Sequence, residues 1–558
     1  MILSLINFAG SLCFLLYGMK LMSDGIQKGA GQKLQTALSF MTGNRFVGLL
    51  TGCILTMIIQ SSGATTVMLV SFVNAGLVSV TQGIGVIFGA NIGTTVTGWI
   101  VAFGSSFSIK DYAIPIFGLG YLFFIQKKIK KEGFALAVMG FGMLFFGLGG
   151  LSDFFAEPQV KSIVIRFINA ANDFGLVSYI IGLFIGIVFT ALIHSSSAMS
   201  AIVIGMAVAM SKTGNASLKA LDDFWRFGAV MIIGSSVGST VDAILAAIGA
   251  NANAKRTAAV HVLFNVATVI VALVFFKPFI SFVELISPGR NIVFRIAMLN
   301  TAFKIMGTMI FIPFVNQISK FVSILIKDDK ESEITTYKLE FNERMAIESP
   351  EGCVFRAQSE VKLFSDKVAQ MFDELQTGFA NFNSDFISGS YEMIVRTEDY
   401  CDQMHEQLTQ YLVRCTHLHL SDEAKDNVAL MMQLIAEMEA MADGCLNIAY
   451  QLKKAIEREM KFNQEDFDRL LPYFELARQL MYFIYKNVAK IRRLTPEQFE
   501  FASELEQQID DERKALKKLA RARLESGGDV RSELLYIDII RQIEKIGDRC
   551  FDAAGDLR

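Results

Sequence analysis

The sequence predicts an all-α protein in two parts: a polytopic membrane bundle of two inverted repeats with re-entrant or broken helices, then a soluble domain of two three-helix bundles. Three observations lead to this prediction. The first part contains a series of apolar runs of membrane-spanning length. Polar, serine-rich motifs interrupt these runs twice. The second part is charged throughout, with apolar residues at the three- and four-residue spacing of amphipathic helices.

The charge of the chain changes sign between the two parts. Residues 1–327 contain 22 basic and 10 acidic side chains, a net charge of +12, whereas residues 328–558 contain 30 and 45, a net charge of −15. Because no basic cluster lies in the acidic part, nucleic acid is not expected as a partner. We expect a transmembrane transport domain at 1–327, a linker at 328–350 and a helical domain at 351–558.

Six apolar runs are long enough to cross a bilayer, which needs about 20 residues per helix. They are residues 3–22, 82–103, 133–151, 226–249, 257–276 and 292–315. The first lacks the basic n-region and cleavage site of a signal peptide, so we expect a retained span. The protein is therefore expected to be multi-pass in the cell inner (cytoplasmic) membrane.

The cytoplasmic side is indicated by two features. The basic cluster at 127–131 should face the cytoplasm by the positive-inside bias. The seven cysteines are scattered without CxxC pairs, which favours a reducing compartment for the second domain. We therefore expect that domain in the cytoplasm as well.

Shorter apolar segments flank two polar breaks, Gln-Ser-Ser-Gly at 60–63 and His-Ser-Ser-Ser at 194–197. The flanking segments are residues 46–59 and 64–78 around the first break, and 176–193 and 198–210 around the second. Paired short segments of this kind indicate discontinuous helices or re-entrant hairpins. Segment 112–125 is also short.

A glycine-rich echo follows each break, Gly-Ala-Asn-Ile-Gly-Thr-Thr at 89–95 and Gly-Ser-Ser-Val-Gly-Ser-Thr at 234–240. The breaks are offset by 134 residues and the echoes by 145, the difference falling in a longer polar loop of the second copy. We infer an internal duplication, with repeat one at about 30–150 and repeat two at about 160–315.

The chemistry of a broken helix suggests what these motifs bind. Free N–H groups and the positive dipole end at the break suit an anion, while carbonyl and hydroxyl oxygens suit sodium. The alternative is that small residues merely permit close helix packing. The candidate substrate- and sodium-binding residues are Gln60, Ser61, Ser62, Thr65, Thr66, Asn91, Thr94, Thr95, His194, Ser195, Ser196, Ser197, Ser236, Ser239, Thr240 and Asp242.

Two candidates are ionisable and lie within apolar sequence. Asp242, whose repeat counterpart is Thr97, is a functional candidate as a sodium ligand or proton site. Its alternative is a local pair with the basic residues 255–256 at the end of the span. His194 replaces the Gln of the first copy and could give pH dependence or simply a hydrogen bond. His261 is expected to be a packing histidine.

In the second part, two Glu-x-x-x-Asp pairs recur at an offset of 105, Glu439/Asp443 and Glu544/Asp548. Each pair lies on one helical face, where it could bind a divalent or transition metal ion; the alternative is a solvated acidic face. Helix starts are predicted at Ser421 and Pro496. No Ser-His-Asp arrangement, P-loop or Rossmann fingerprint is present, so we expect no enzyme.

The motifs at 60–67, 89–97 and 194–198 resemble those of the sodium/phosphate cotransporter family (type II), in its bacterial form with a C-terminal PhoU-like domain. The resemblance covers roughly residues 1–325, and residues 350–558 resemble PhoU. It implies secondary transport of inorganic phosphate with sodium. The family's ligands would correspond to Gln60, Ser61, Ser62, Ser195, Ser196 and Ser197.

The sequence departs from that family in three places. Gly63 stands for the third Ser of the first motif, and His194 for the Gln of the second. A family pattern ending in His-Thr-Leu-Phe-Asn is aligned with 297–304, where it has Asn300 and Lys304 instead. The alternatives are a phosphate-status sensor with a receptor-like membrane domain, or a carrier for another anion or using protons. Besides the lipid bilayer, a homodimer or a signalling partner is expected.

Overall fold

All regular elements that the structure describes are helical, as the sequence predicts. The computed structural model describes residues 2–30, 44–74, 78–107, 109–126, 132–173, 176–212, 218–248, 250–289, 291–327, 337–343, 346, 350–380, 384–460, 464–488 and 493–558. The predicted basic cluster at 127–131 lies outside these residues. The chain divides into two compact units, Met1–Lys330 with Ile347–Ser349, and Glu331–Ala346 with Pro350–Arg558.

The helices of the first unit are numbered in chain order. They are α1 (Ile2–Ala30), α2 (Arg45–Ile59), α3 (Ser62–Asn74), α4 (Val80–Gly93), α5 (Thr95–Ser106), α6 (Ala113–Ile125), α7 (Glu132–Ala156), α8 (Pro158–Asp173), α9 (Leu176–Ile193), α10 (Ser196–Lys212), α11 (Leu218–Gly238), α12 (Val241–Ala246), α13 (Ala252–Val274), α14 (Phe276–Ile286), α15 (Ile292–Phe311) and α16 (Val315–Leu325). Short 3₁₀ turns precede α6 and α16.

Six helical stretches within the described residues are long and apolar enough to cross a membrane. They are Leu3–Ala30, Val80–Ser106, Glu132–Ala156, Leu221–Ala246, Ala252–Val274 and Ile292–Leu325. Each overlaps one of the six predicted runs, although the first continues to Ala30, beyond its predicted end. Large apolar side chains such as Leu192, 75% exposed, and Leu285, 82% exposed, face outward, as expected of a surface covered by lipid.

Each predicted repeat contains a helical hairpin followed by a broken span. The hairpins are α2–α3 and α9–α10, and the broken spans are α4–α5 and α11–α12. The predicted breaks and echoes lie at these interruptions. Within each repeat the first hairpin helix packs along the long helix of the broken span, α2 on α4 and α9 on α11.

Glycines at these helix crossings allow the backbones to touch. A Cβ atom at Gly89 of α4 would overlap the carbonyl oxygen of Leu49 in α2. The repeat counterpart, Gly234 of α11, is held in the same way against the carbonyl of Leu183 in α9. Close backbone approach through small residues stabilises helix pairs in a bilayer, where lipid tails compete for apolar contacts. The glycine-rich echoes therefore allow close helix packing, and they also lie where the two spans are interrupted.

The second unit contains two sets of three long helices. The first set is α17 (Pro350–Ala380), α18 (Glu392–Thr416) and α19 (Asp422–Glu457); the second is α20 (Gln464–Val488), α21 (Pro496–Glu525) and α22 (Val530–Asp556). Helices α19 and α22 pack against each other and join the two sets. The predicted starts are confirmed, since Ser421 caps α19 and Thr495 forms a capping box with Pro496 in the first turn of α21.

The close helix crossings predict that a methyl group added at a crossing glycine destabilises the protein more than one added elsewhere. Gly89→Ala and Gly234→Ala should each lower the free energy of unfolding by about 1–3 kcal/mol, because the Cβ would force the helices apart. Chemical denaturation in detergent micelles measures this. Gly118→Ala in α6 is the matched control, since no atom lies within 4 Å of its added Cβ. A loss in the control as large as in the two crossing variants would contradict the packing role.

Candidate functional site

The two polar breaks have the same backbone conformation. Gln60 and His194 adopt the left-handed region, with φ of 58° and 59°. The backbone N–H of each donates to the carbonyl four residues earlier, of Thr56 and Thr190, at 2.7 Å in both copies. A non-glycine residue at positive φ stores strain that the surrounding structure must hold. The predicted duplication thus extends to an unusual dihedral angle.

The serine after each left-handed residue caps the second helix of its hairpin. The hydroxyl oxygen of Ser61 accepts from the N–H of Ala64 at 3.1 Å, and that of Ser195 accepts from Ala198 at 3.1 Å. Each tip therefore presents the N-terminus of a helix, with further N–H groups of its first turn and the positive end of the dipole. Such an end favours a bound anion.

Both tips line one cavity of about 260 Å³. Its walls include residues 59–63 of the first tip, residues 193–197 of the second tip, Ser239 of the second echo, Asp242 just beyond that echo, and Lys20, Ser23 and Asp24 of α1. Pockets for drug-sized ligands measure roughly 300–1,000 Å³, so this cavity suits a small ion with its counterions.

Nine of the predicted binding residues line this cavity: Gln60, Ser61, Ser62, His194, Ser195, Ser196, Ser197, Ser239 and Asp242. Seven do not: Thr65, Thr66, Asn91, Thr94, Thr95, Ser236 and Thr240. Among these seven, the Thr66, Thr95 and Thr240 hydroxyls donate at 2.8 Å to backbone carbonyls three or four residues earlier in the chain, those of Ser62, Ile92 and Val237. Ser239 makes the same kind of bond, to the carbonyl of Ser236 at 2.9 Å, and nevertheless lines the cavity, so this bond does not by itself decide which hydroxyls face it.

Helix α1 contributes cavity residues that sequence analysis missed. Ser23 donates its hydroxyl to the carbonyl of Ile59, at the end of α2, at 2.5 Å, and Gln27 donates to Ser23 at 3.0 Å. Lys20 and Asp24 are the charged residues of this wall. The signal was present, because ionisable residues near a membrane span are functional candidates, whereas the first run was interpreted only as a span ending at residue 22.

The side chains of Gln60 and His194, the two left-handed residues, each contact a residue at the same position of their repeat. Thr97 donates its hydroxyl to Oε1 of Gln60 at 2.8 Å. Its counterpart Asp242 lies with Oδ1 2.8 Å from Nδ1 of His194. The same contact is therefore neutral in the first repeat and formed by two ionisable groups in the second. Asp242 was expected either to belong to the binding site or to pair with the basic residues 255–256. The structure favours the first interpretation, since Asp242 lines the cavity and pairs with His194.

The absence of a third serine in the first motif has a steric cause. A Cβ atom at Gly63 would overlap Oδ2 of Asp242. The carboxylate, 1% exposed, thus occupies the space into which a serine side chain would project. Gly63 and His194 are both departures from the family motif, and both contact the same carboxylate. They form one linked change rather than two independent ones.

The charges around the cavity favour cations. Lys20 is basic, Asp24 and Asp242 are acidic, and His194 is neutral unless protonated, so these side chains sum to −1 with a neutral imidazole. An oxyanion added to this cavity would meet net negative charge in a medium of low dielectric constant. The hydroxyl and carboxylate oxygens around the cavity are suitable ligands for cations that would offset this charge.

In the second unit, one predicted acidic pair belongs to a larger cluster. Carboxylate oxygens of Glu398, Asp402 and Asp443 lie within 4.8 Å of one another. Asp443 and Glu439 form the predicted pair on α19, while Glu398 and Asp402 form a second Glu-x-x-x-Asp pair on α18. Sequence analysis missed this second pair because only the α19 pair has a counterpart at the offset of 105.

The other predicted pair is neutralised by basic side chains. Arg513 pairs with Glu544 and lies 2.8 Å from Asp510, and Lys517 lies 3.4 Å from Glu544. The metal prediction is not supported for Glu544/Asp548, because an internal guanidinium already supplies the positive charge. At an offset of 108, Arg513 corresponds to His405 of the first cluster.

Mutual proximity changes the acidity of the first cluster. Burial, reinforced by Asp402 and Asp443, raises the pKa of Glu398 from its ordinary value of 4.5 to about 7. Burial and Asp443 also raise the pKa of Glu439, and His405 partly offsets this. Without a bound cation, the cluster therefore favours partial protonation near neutral pH.

Comparison with known proteins supports both units. The Na+/Pi-cotransporter family model matches residues 14–153, and the PhoU domain model matches residues 361–452. The "Uncharacterized protein YqeW" of Bacillus subtilis (strain 168) is 30% identical over 328 residues, 58% of this chain and 99% of that protein. No solved structure matches the chain.

Two further relatives carry functional names. The "Putative inorganic phosphate export protein YjbB" of Escherichia coli (strain K12) is 22% identical over 507 residues, 88% of this chain and 87% of that protein. The human "Sodium-dependent phosphate transport protein 2B" is 37% identical over 102 residues, 18% of this chain and 14% of that protein.

The contact at Gly63 predicts a specific cost. Gly63→Ala should displace the Asp242 carboxylate from His194 and lower the free energy of unfolding by about 1–3 kcal/mol, the cost of an unsatisfied buried group. Denaturation in detergent measures this. Gly10→Ala in α1 is the control, because its added Cβ meets no atom within 4 Å. Equal stability of Gly63→Ala and the wild type would contradict the contact.

The raised pKa of Glu398 predicts how stability changes with pH in the presence of a chelator. Glu398 releases its proton near pH 4.5 in the unfolded state but only near pH 7 in the folded state. The folded state therefore binds the extra proton between these pH values, and the free energy of unfolding should fall as pH rises from about 4.5 to 7. Glu398→Gln should reduce the fall and unfold at a higher temperature than the wild type at pH 8. The exposed Glu500→Gln is the control. Parallel pH curves for Glu398→Gln and the wild type would exclude the effect.

Proposed function

This chain belongs to the Na+/Pi-cotransporter family, and we propose that it moves inorganic phosphate across the cytoplasmic membrane by secondary transport, with sodium as the coupling ion. The family is one of transporters and not of enzymes. The single observation that carries the proposal is the cavity shared by the two hairpin tips. It gathers paired hydroxyls and helix N-termini from both repeats, an arrangement that transporters use for small ions.

The phosphate would lie between the N-termini of α3 and α10. There the free N–H groups and hydroxyls of the two tips can donate to its oxygens. Ser61 and Ser195 are the repeat-related residues most directly placed for this, since each lines the cavity and caps the second helix of its hairpin. Lys20 of α1 adds a positive charge on another wall.

Sodium would balance the charge of the site. The cavity side chains already sum to −1 with neutral His194, so a phosphate anion raises the negative charge further. Sodium ions at the Asp242 carboxylate and neighbouring hydroxyls would offset this, which makes binding of the two solutes interdependent. The name of the human relative, which includes sodium dependence, agrees with this choice of ion.

A second candidate is phosphate export. The relatives named YjbB cover most of this chain and carry export in their names, whereas the sodium-dependent human relative matches a short segment. A carrier coupled to inward sodium movement would import phosphate, so the two candidates differ in the sign of net flux. Oriented vesicles with defined gradients separate them.

For the second unit we propose a cytoplasmic regulatory role with a metal ion at Glu398, Asp402, Glu439 and Asp443. The support is the convergence of two Glu-x-x-x-Asp pairs, from α18 and α19, beside His405. Oxygen ligands with one nearby imidazole suit a divalent or transition ion. A homodimer or a signalling protein remains the proposed partner of this unit.

Transport by the purified full chain in liposomes tests the main proposal. Labelled phosphate flux should depend on an imposed sodium gradient, and Ser61→Ala and Ser195→Ala should each reduce it about tenfold or more, because each loses a hydrogen bond to a charged ligand. Ser323→Ala, on α16 away from the cavity, is the control. Sodium-independent flux would refute the coupling, and equal flux in all variants would refute the site.

Metal content tests the second proposal. After equilibration with Mn²⁺ or Zn²⁺ and removal of free ion, the full chain should retain metal, and Asp402→Asn should lose most of it. Asp548→Asn is the matched control, because it lies in the cluster that Arg513 neutralises. Elemental analysis by mass spectrometry gives the ratio. Equal metal in both variants, or none in the wild type, would contradict the assignment.

A further inference from the structure

A lysine lies buried in a membrane-spanning helix away from the cavity. Lys304 of α15 is 3% exposed, within the candidate span Ile292–Leu325. Its Nζ donates to Oδ1 of Asn91 in α4 at 2.6 Å and to Oδ1 of Asn265 in α13 at 3.2 Å. The ammonium group therefore holds side-chain oxygens from two other helices.

No carboxylate pairs with this ammonium among the residues that the structure describes. The ring of its neighbour Phe303 lies 5.5 Å from Nζ, a further favourable contact for a cation. A charged group inside a membrane is costly and is retained where it serves a function. Since the hydrogen bonds of Nζ to the described side chains go to two amide oxygens, the polar groups around it form a cation site.

An internal comparison matches Lys304 with an asparagine of α13. Residues 258–265 (Ala-Ala-Val-His-Val-Leu-Phe-Asn) and 297–304 (Ala-Met-Leu-Asn-Thr-Ala-Phe-Lys) share Ala, His or Asn, Phe, and Asn or Lys at the same spacing. Residues 261–265 of α13 read His-Val-Leu-Phe-Asn, which also resembles the pattern compared with 297–304 in the sequence analysis. In this comparison Lys304 takes the place of an asparagine, so an ammonium stands where the other helix offers an amide oxygen.

We propose that the Lys304 ammonium is a built-in cation that occupies a sodium-type site and so replaces one bound sodium ion. Oxygen ligands at 2.6 and 3.2 Å would also serve a monovalent metal cation once the ammonium is removed. Replacing the lysine by asparagine would add a third amide oxygen and leave space for the ion. The inference deepens the proposed function, on which it rests, by locating a determinant of its sodium requirement.

Binding is measured first, because it does not depend on transport. Thermal unfolding of the purified full chain is followed in NaCl and in choline chloride at equal ionic strength. Lys304→Asn should gain a sodium-dependent stabilisation beyond that of the wild type. Lys304→Met, similar in length but apolar, should gain none. Lys277→Asn, an exposed lysine of α14, is the control. Lys304→Gln, which also supplies an amide oxygen, takes the place of Lys304→Asn if that variant does not fold.

Transport gives the second measurement. Phosphate flux in liposomes should require more sodium in Lys304→Asn than in the wild type, with a Hill coefficient higher by about one. In Lys304→Met the phosphate flux should be roughly tenfold lower at every sodium concentration, since neither an ammonium group nor a sodium ion occupies the site. An unchanged sodium response of Lys304→Asn in the unfolding assay would overturn the inference. A wild type without phosphate flux would refute the proposed function, while the unfolding assay would still decide the role of Lys304.

Discussion

A backbone that ends a helix inside a membrane must satisfy its free polar groups within the protein, and the rest of the first unit depends on how this is done. Lipid offers no hydrogen bonds, so each broken helix needs a capping partner at depth. Both hairpin tips use the same solution, a left-handed residue followed by a serine that caps the next helix. The serines therefore have a role in the fold that does not depend on a bound solute, and both also line the cavity.

The duplicated sites of this chain are made unequal by internal charge. In the cavity, the neutral contact of Thr97 with Gln60 corresponds to the contact of Asp242 with His194. In the second unit, the place of His405 in one acidic cluster is taken by Arg513 in the other. Duplication supplies two similar frameworks, and single charged substitutions then give each copy its own charge balance. This division is economical, because the backbone that forms each site is left unchanged.

Much of the fold was accessible from the sequence because it rests on periodic patterns. Apolar runs predicted the spans, the two polar breaks predicted the hairpins, and Ser421 and Pro496 predicted helix starts that the structure confirms. Of the sixteen predicted binding residues, nine line one cavity, whereas Thr65, Thr66 and five others do not. Motif membership does not tell which hydroxyls line a cavity that residues from several helices form. The contribution of α1 was missed because no motif marks it.

The sequence by itself determined the helical class, the location of the breaks and the existence of duplicated pairs, because local spacing and repetition encode these properties. Only the tertiary structure decided which distant residues meet. It brought Asp242 against Gly63 and His194, Lys304 against Asn91 and Asn265, and Arg513 against Glu544. The reason is physical, because the charge balance of a buried site depends on side chains that come together from separate helices. The spacing of those residues along the chain does not predict that they meet. The repeated serine motif predicted two half-sites, and the packing of the helices determined which charged side chains lie beside each motif.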